Sequence, residues 1–408
     1  MLLIYNIGIA FYAILLKFAA FFNQKAKLFT SGRENIFKKI AQKINPNDRP
    51  IWFHFASLGE FEQGRPVLEA IKIEQPQQKI IVTFFSPSGY EIRKNYALAD
   101  VFYLPLDTAS NAKKFIDLVN PKQAIFTKYE FWYHYFKTLN DRKIPLYLIS
   151  GIFRPNQAFF KWYGGFYRNI LKNVSHFFVQ NNDSITLLNG IGITAVSLSG
   201  DTRFDSVYEN AKNPKKIELI EKFCGNSHVF IAGSTWLPDE KLLVSLIEKY
   251  PDWKVIIAPH EVDEQHINEI GKLFPTATKF SSFNTQYAIR NTNILIIDNI
   301  GMLSSLYQYA KVAYIGGGFG AGIHNTLEAA AFGLPVIFGP KYDKFQEAKD
   351  LIAIGAAKSI ENEKELLKAF EHFKVNEIAA ADAKRYVEEK KGATEMIINK
   401  LKANDFYY

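Results

Sequence analysis

The chain has 408 residues, 49 Lys and Arg against 41 Asp and Glu, a formal net charge of +8, and a composition 48% hydrophobic and 15% aromatic. That apolar content excludes wholesale disorder and collagen-like repetition, and the length suggests two or three domains. A single cysteine, Cys224, excludes an internal disulfide or a multi-cysteine metal site, while the positive balance asks for an anionic partner: nucleic acid, anionic lipid or a phosphorylated substrate.

The first 22 residues are mostly apolar and uncharged except for Lys17, and Lys25, Lys27, Arg33, Lys38, Lys39 and Lys43 follow. No cationic segment precedes the run and no small-residue cleavage site follows it, which argues against a signal peptide. A helix of this kind is borderline for spanning a bilayer, and the basic flank places that side at the cytoplasmic face. Residues 1–22 are therefore expected to anchor in a membrane or lie in its interface; the alternative is a buried or surface amphipathic helix of a soluble domain. Residues 159–178 interleave Phe159, Phe160, Trp162, Tyr163, Phe166 and Tyr167 with Lys161, Arg168 and Lys172, which suits either a membrane surface or a partly buried helix.

Strand-like runs then alternate with helical patterns. Strands are expected at 51–56, 80–84, 101–104, 124–127, 146–150 and 177–179, with helices at 62–74 and 109–119 between them. The pattern restarts after residue 205, with strands at 229–232, 253–258, 294–297, 312–315 and 335–338. Helices are expected at 208–222, 239–249, 261–273, 301–309 and 325–332, and the charged stretch 362–402 is read as surface helices. Such alternation predicts two α/β domains with parallel sheets facing each other across a cleft. The expected division is 1–22 for the anchor, 23–206 for the first domain and 207–408 for the second, with a linker near Pro214 at 206–216. Ligands of such sheets bind beyond the carboxyl ends of the strands, so the chemistry is sought there.

Four constellations lie at such positions. Ser57-Leu58-Gly59-Glu60 follows the first strand and offers Glu60 as a general base, although Ser57 and Glu60 also fit a helix-capping box. Gly316-Gly317-Gly318-Phe319-Gly320-Ala321-Gly322, followed by His324-Asn325-Thr326-Leu327-Glu328, joins a strand to a helix start through a loop able to approach phosphate. It matches neither a P-loop nor the dinucleotide fingerprint, and a tight glycine turn is the plainer alternative. Arg203, between Asp201 and Asp205, suits a phosphate or carboxylate, or an interdomain ion pair. Lys128 and Glu130 alternate in a segment read as extended, where they would share a face. His54, His260, His266 and His324 lack metal-ligand spacing, so no metal is expected.

Taken in order, these motifs resemble the 3-deoxy-D-manno-octulosonic acid (Kdo) transferase family. The resemblance is collinear over residues 1 to 360. It is carried by the apolar N-terminus, Ser57-Leu58-Gly59-Glu60, Ser86-Pro87-Ser88-Gly89, Tyr103-Leu104-Pro105-Leu106-Asp107 and Glu130-Phe131-Trp132. Gln180-Asn181, Arg203-Phe204-Asp205, His324-Asn325-Thr326-Leu327-Glu328-Ala329-Ala330 and Gly339-Pro340 continue it.

The resemblance implies a two-Rossmann, GT-B glycosyltransferase at the cytoplasmic face of the inner membrane, with CMP-Kdo as donor and a phosphorylated lipid A precursor as acceptor. It implies Glu60 as the base that activates the acceptor hydroxyl, with inversion at the Kdo anomeric carbon. Arg203 stands where the family has a lysine that stabilises transition-state charge, and Lys128 marks a second candidate catalytic position. Pro259, His260, Ile300, Gly301, Met302, Gly317, Asn325, Thr326, Leu327 and Glu328 are the implied donor-binding residues. No cofactor or metal is implied; helix N-termini and cations act on the leaving phosphate.

Three departures stand out: Lys128 where relatives often have an acid, Pro259-His260-Glu261 where they often have Pro-Arg-His, and Thr326 where they often have proline. The rival enzyme is another GT-B sugar-nucleotide protein, a UDP-sugar transferase or epimerase. A basic nucleic-acid or peripheral membrane protein without activity is the non-enzymatic rival, and no nucleic-acid module supports it.

Overall fold

The computed structural model describes residues 1–282 and 292–403. They form two compact units: residues 1–206 with 391–403, and the described residues of 207–390.

The first unit is built on a seven-stranded sheet of order β3-β2-β1-β4-β5-β6-β7. Its strands are β1 (Ile51–Phe55), β2 (Ile80–Phe84), β3 (Asp100–Tyr103), β4 (Gln123–Thr127), β5 (Leu146–Gly151), β6 (His176–Val179) and β7 (Val196–Leu198). Every pairing is parallel. Both faces are covered, so the central strands are buried end to end and read as continuous apolar runs. Alternation still sorts the side chains. Trp52 joins one core with Phe115, Phe126 and Tyr135, and Phe53 and Phe55 join the other with Phe61 and Val67. Much of the aromatic excess lies here, as ring pairs such as Trp52 and Phe115 at 4.7 Å.

The second unit repeats the plan with order β10-β11-β9-β8-β12-β13-β14. Its strands are β8 (Val229–Thr235), β9 (Lys254–Pro259), β10 (Thr278–Lys279), β11 (Ile294–Ile296), β12 (Val312–Ile315), β13 (Val336–Phe338) and β14 (Ala357–Ser359). Sequence reasoning missed β7, β10 and β14, all of them edge strands of two or three residues. An edge strand packs fewer neighbours and needs no long apolar run.

Two expectations about chain organisation are corrected. The expected linker is helical as far as Lys212, within the helix Arg203–Lys212. The C-terminal helix Ala393–Ala403 belongs to the first unit, not the second, and puts Ile397, Ile398 and Leu401 into the core beneath β1 and the helix Leu58–Glu74. Asp205 fixes this return, accepting the backbone N–H groups of Gly392 and Thr394 at 2.5 and 2.8 Å and the Thr394 hydroxyl at 2.8 Å.

The N-terminal helix Leu2–Ala19 is long and apolar enough to cross a membrane, and none of it is buried. It has two faces. Tyr5, Ile9, Ala13 and Leu16 are half-buried, and Tyr5 donates its hydroxyl to Asp107 at 2.5 Å while Asn6 meets His134 at 2.7 Å. Ile4, Ile7, Phe11, Ile14 and Phe18 form the opposite, exposed stripe. Phe166 packs on Tyr5 at 5.8 Å, while Trp162 and Tyr163 remain exposed.

Candidate active site

In the first unit the chain leaves β1 toward β2 and β3, then returns to place β4 on the other side of β1. That reversal is the topological switch point, where the crevice beyond the strand ends opens. It explains why residues 70 positions apart meet: Glu60 follows β1, and Lys128 and Glu130 follow β4.

Glu60 stands in the first turn of the helix Leu58–Glu74 and accepts the backbone N–H of Ala56 at 2.6 Å. The expected capping box does not close, because the Ser57 side chain makes no capping bond. Burial and the negative charge of Glu130 push the Glu60 carboxyl up to about 7, against the lowering effects of the Ala56 N–H and the Lys128 charge. A carboxylate with that proton affinity suits general-base work near neutral pH.

Lys128 is not extended as expected. It sits at φ 58°, so the segment turns there, and the charges of both Lys128 and Glu130 still act on Glu60. Glu130 accepts from Trp132 Nε1 at 2.9 Å and contacts His54 Nε2 at 3.2 Å. His54 is wholly buried on β1, and its Nδ1 meets the Thr83 hydroxyl on β2 at 2.8 Å. From the sequence His54 had no role beyond its place among histidines without metal-ligand spacing, because its partner Thr83 lies on a different strand.

Arg203 forks onto Asp201, with Nε at 2.9 Å and Nη2 at 2.7 Å from Oδ2. The ion pair anticipated there therefore forms inside the first unit rather than between domains. Asp205 plays no part in that pair and holds the C-terminal return instead.

In the second unit the switch point lies between β8 and β12. Trp236 follows β8, and its indole N–H donates to His324 Nε2 at 3.3 Å. His324 stacks on His260 at 4.2 Å, and His260, just after Pro259 on β9, packs on Trp236 at 4.9 Å. Burial and the nearby His260 push the His324 imidazole down to about 4. Because Trp Nε1 only donates, the neutral His324 ring carries its proton on Nδ1.

The glycine loop is more structural than its sequence suggests. A side chain at Gly316 would lie 2.3 Å from the Ser234 carbonyl oxygen, and one at Gly318 would lie 2.6 Å from the Gly339 Cα. Gly317, at φ 91°, gives its N–H to Asp239 at 2.9 Å, so that amide is engaged by a carboxylate. Asp239 also accepts from the Trp236 N–H at 2.9 Å and the Tyr314 hydroxyl at 2.7 Å. It is a buried organiser of the loop that sequence reasoning missed.

Asn325 does not cap the following helix as a box. Its Oδ1 accepts the Leu327 N–H at 3.1 Å and its Nδ2 donates to Glu328 at 3.1 Å. The side chains of Thr326 and Leu327 are buried, so the backbone is what they can offer a ligand. Gly301, at φ 94°, turns the chain between exposed Ile300 and Met302, which precedes the helix Leu303–Leu306.

Two parallel Rossmann-like sheets in tandem, each with its polar cluster at a switch point, define a GT-B-type glycosyltransferase fold. Among solved structures, the UDP-GlcNAc 2-epimerase from Neisseria meningitidis matches 86% of this chain and 99% of its own at TM-score 0.61 and 14% identity. The UDP-GlcNAc 2-epimerase from Methanocaldococcus jannaschii matches 83% and 98% at TM-score 0.56 and 16% identity. At such identities the likeness concerns the fold. Residues 31–206 match the family described as 3-deoxy-D-manno-octulosonic-acid transferase (kdotransferase). The 3-deoxy-D-manno-octulosonic acid transferase of Aquifex aeolicus is 27% identical over 350 residues, 83% of this chain and 89% of that protein. Its counterpart from Rickettsia prowazekii is 28% identical over 332 residues, 78% and 70%. Over residues 31–206, and over most of its length, the chain is similar to Kdo transferases.

Proposed function

We propose that the protein transfers Kdo from CMP-Kdo to a hydroxyl of a phosphorylated lipid A precursor, with Glu60 as the general base. The observation that carries this is the Glu60 carboxylate at the switch point of the first unit, with its proton affinity raised to about 7. Ionised, it takes the acceptor hydroxyl proton as the oxygen attacks the Kdo anomeric carbon, and the bond to the CMP phosphate breaks with inversion. Arg203 and Lys128 are the cations proposed to oppose the charge that develops.

The second unit is proposed to hold the nucleotide. The flat Trp236, His260 and His324 rings offer stacking, His324 Nδ1–H offers a donor, and Asn325 with Glu328 offers polar groups suited to ribose or base. Ile300, Gly301 and Met302 complete the proposed lining. The exposed stripe of the helix Leu2–Ala19, with Trp162 and Tyr163, is proposed to enter the interface of the inner membrane from the cytoplasmic face. Purified protein incubated with CMP-Kdo and a tetra-acylated disaccharide bisphosphate should release CMP in step with a mass gain on the lipid. Folded protein that releases none excludes the proposal, and stabilisation by UDP rather than CMP would favour the epimerase-like alternative.

A further inference from the structure

Five side chains of the first unit form a hydrogen-bonded chain that ends beside Glu60. Trp52 and His54 on β1, and Thr83 on β2, point to one face of the sheet, because β1 and β2 pair His54 directly with Thr83. The Trp52 Nε1–H donates to Thr83 Oγ1 at 2.8 Å. The Thr83 hydroxyl meets His54 Nδ1 at 2.8 Å and the Phe53 carbonyl at the longer distance of 3.4 Å. His54 Nε2 meets Glu130 Oε2 at 3.2 Å, and Trp132 Nε1–H reaches the same oxygen at 2.9 Å.

The directions of these bonds follow from the groups. Indole N–H only donates, and an ionised carboxylate only accepts. Thr83 oxygen is therefore an acceptor toward Trp52, and its own proton goes to the nearer partner, His54 Nδ1. Nε2 then carries the ring proton and presents it to Glu130. The Trp52, Thr83 and His54 donors point the same way, out of the apolar core and toward the carboxylate that acts on Glu60, and Trp132 donates to that carboxylate from its far end. Phe126 packs on the His54 ring at 4.8 Å and keeps it from rotating.

We infer that His54 is a positioning residue for the candidate base: it orients the Glu130 carboxylate, through Nε2–H, so that its charge bears on Glu60. The inference rests on the proposed role of Glu60 and deepens it. The charged and titratable groups that act on Glu60 lie on the turn after β4, which carries Lys128, Tyr129 and Glu130. Arg154 donates to the Tyr129 hydroxyl at 3.2 Å and adds a cation behind it. Glu130 alone among these opposes ionisation of Glu60 by a nearby negative charge strong enough to rank next after burial. A Glu130 that swings away, or that is replaced by a neutral amide, would leave Glu60 a weaker base.

The test uses the full chain in detergent with His54→Phe, His54→Gln and Glu130→Gln. Two readouts are taken: the acid limb of kcat against pH, and the carboxyl 13C titration of Glu60, assigned by its loss in Glu60→Gln. Glu130→Gln should move both down by about one pH unit, the size of a close like-charge effect. His54→Phe should move both in the same direction and lower kcat about tenfold, with the KM for the sugar nucleotide unchanged. His54→Gln, whose amide can donate in place of Nε2, should recover most of the wild-type profile. An unaltered Glu60 titration in Glu130→Gln overturns the inference, even if the buried His54→Phe variant fails to fold. An unaltered titration in folded His54→Phe does so as well. If the wild-type protein transfers no sugar but the titration shifts as stated, the positioning stands and the proposed reaction falls.

Discussion

Glu60 reaches back across the turn after β1 to accept the backbone N–H of Ala56 at 2.6 Å. Only Oε2 is so engaged; among the described residues Oε1 has no hydrogen-bond partner. The carboxylate is thus fixed by one oxygen while the other remains available to a substrate proton. A turn that looks like a capping device in sequence instead holds the Glu60 carboxylate against the Ala56 N–H, because Ser57 does not reciprocate.

Activity should follow the ionisation of this group. With Glu60 raised to about 7, kcat/KM should fall about tenfold for each pH unit below that value. Glu60→Gln should lower kcat by about two to four orders of magnitude and leave CMP affinity within about threefold. Initial-rate CMP release across pH, and calorimetric titration with CMP, measure the two. Lost CMP binding would assign Glu60 to the donor site instead.

The same residue should weaken the fold. Its proton affinity is higher in the folded chain, about 7, than the ordinary 4.5. Stability from this group is therefore fully present below about pH 4.5 and is lost as pH rises through about 7. Glu60→Gln removes that loss and should stabilise the protein by about 1–3 kcal/mol at about pH 8, with little gain at about pH 4. Denaturant midpoints of both proteins at the two pH values decide it; an equal gain at both would show that ionisation is not the cause.

Asp239 should be the most sensitive buried acid of the second unit. Asp239→Ala strands the N–H groups of Trp236 and Gly317 and the hydroxyl of Tyr314. The expected cost is about 3 kcal/mol or more, since donors to a carboxylate are lost and left buried. CMP affinity should fall more than about tenfold as the Trp236 and Gly317 loops loosen. Thermal unfolding and calorimetry test both, and wild-type CMP affinity in the variant would separate Asp239 from the nucleotide site.

Membrane attachment should depend on one face of the first helix. Replacing Ile7, Phe11, Ile14 and Phe18 with serine should lower binding to anionic vesicles more than about tenfold, because each buried apolar side chain contributes about 1.5–3 kcal/mol. Tyr5→Phe, on the other face, should cost about 1–2 kcal/mol of stability by removing a donor to the Asp107 carboxylate. Vesicle flotation and thermal unfolding separate the two faces. Equal flotation of the serine variant and the wild type would show that attachment lies elsewhere.

Much of the fold is legible in the residues. Ile80–Phe84 and Val312–Ile315 read as strands because a strand buried on both faces must be apolar throughout. Ala357–Ser359 and Thr278–Lys279 do not, because at the sheet edge partial exposure removes that demand. Glu60 and the glycine loop were visible as strand-end motifs. His54 and Asp239 were not: a lone buried histidine and a helix-start aspartate carry no local sign of the partners that occupy them.

The sequence by itself determined where each strand of the two sheet centres runs, which loops follow their carboxyl ends, and that a long apolar segment opens the chain. Only the tertiary structure decided that β4 lies beside β1, and so that Glu130 acts on Glu60 and His54 reaches Glu130. It also decided that the last helix returns to the first unit and that Asp239 occupies the Gly317 amide. The reason is physical. Apolar periodicity is set by burial, which each strand records in its own residues, whereas strand order is set by crossovers whose contacts no local pattern encodes.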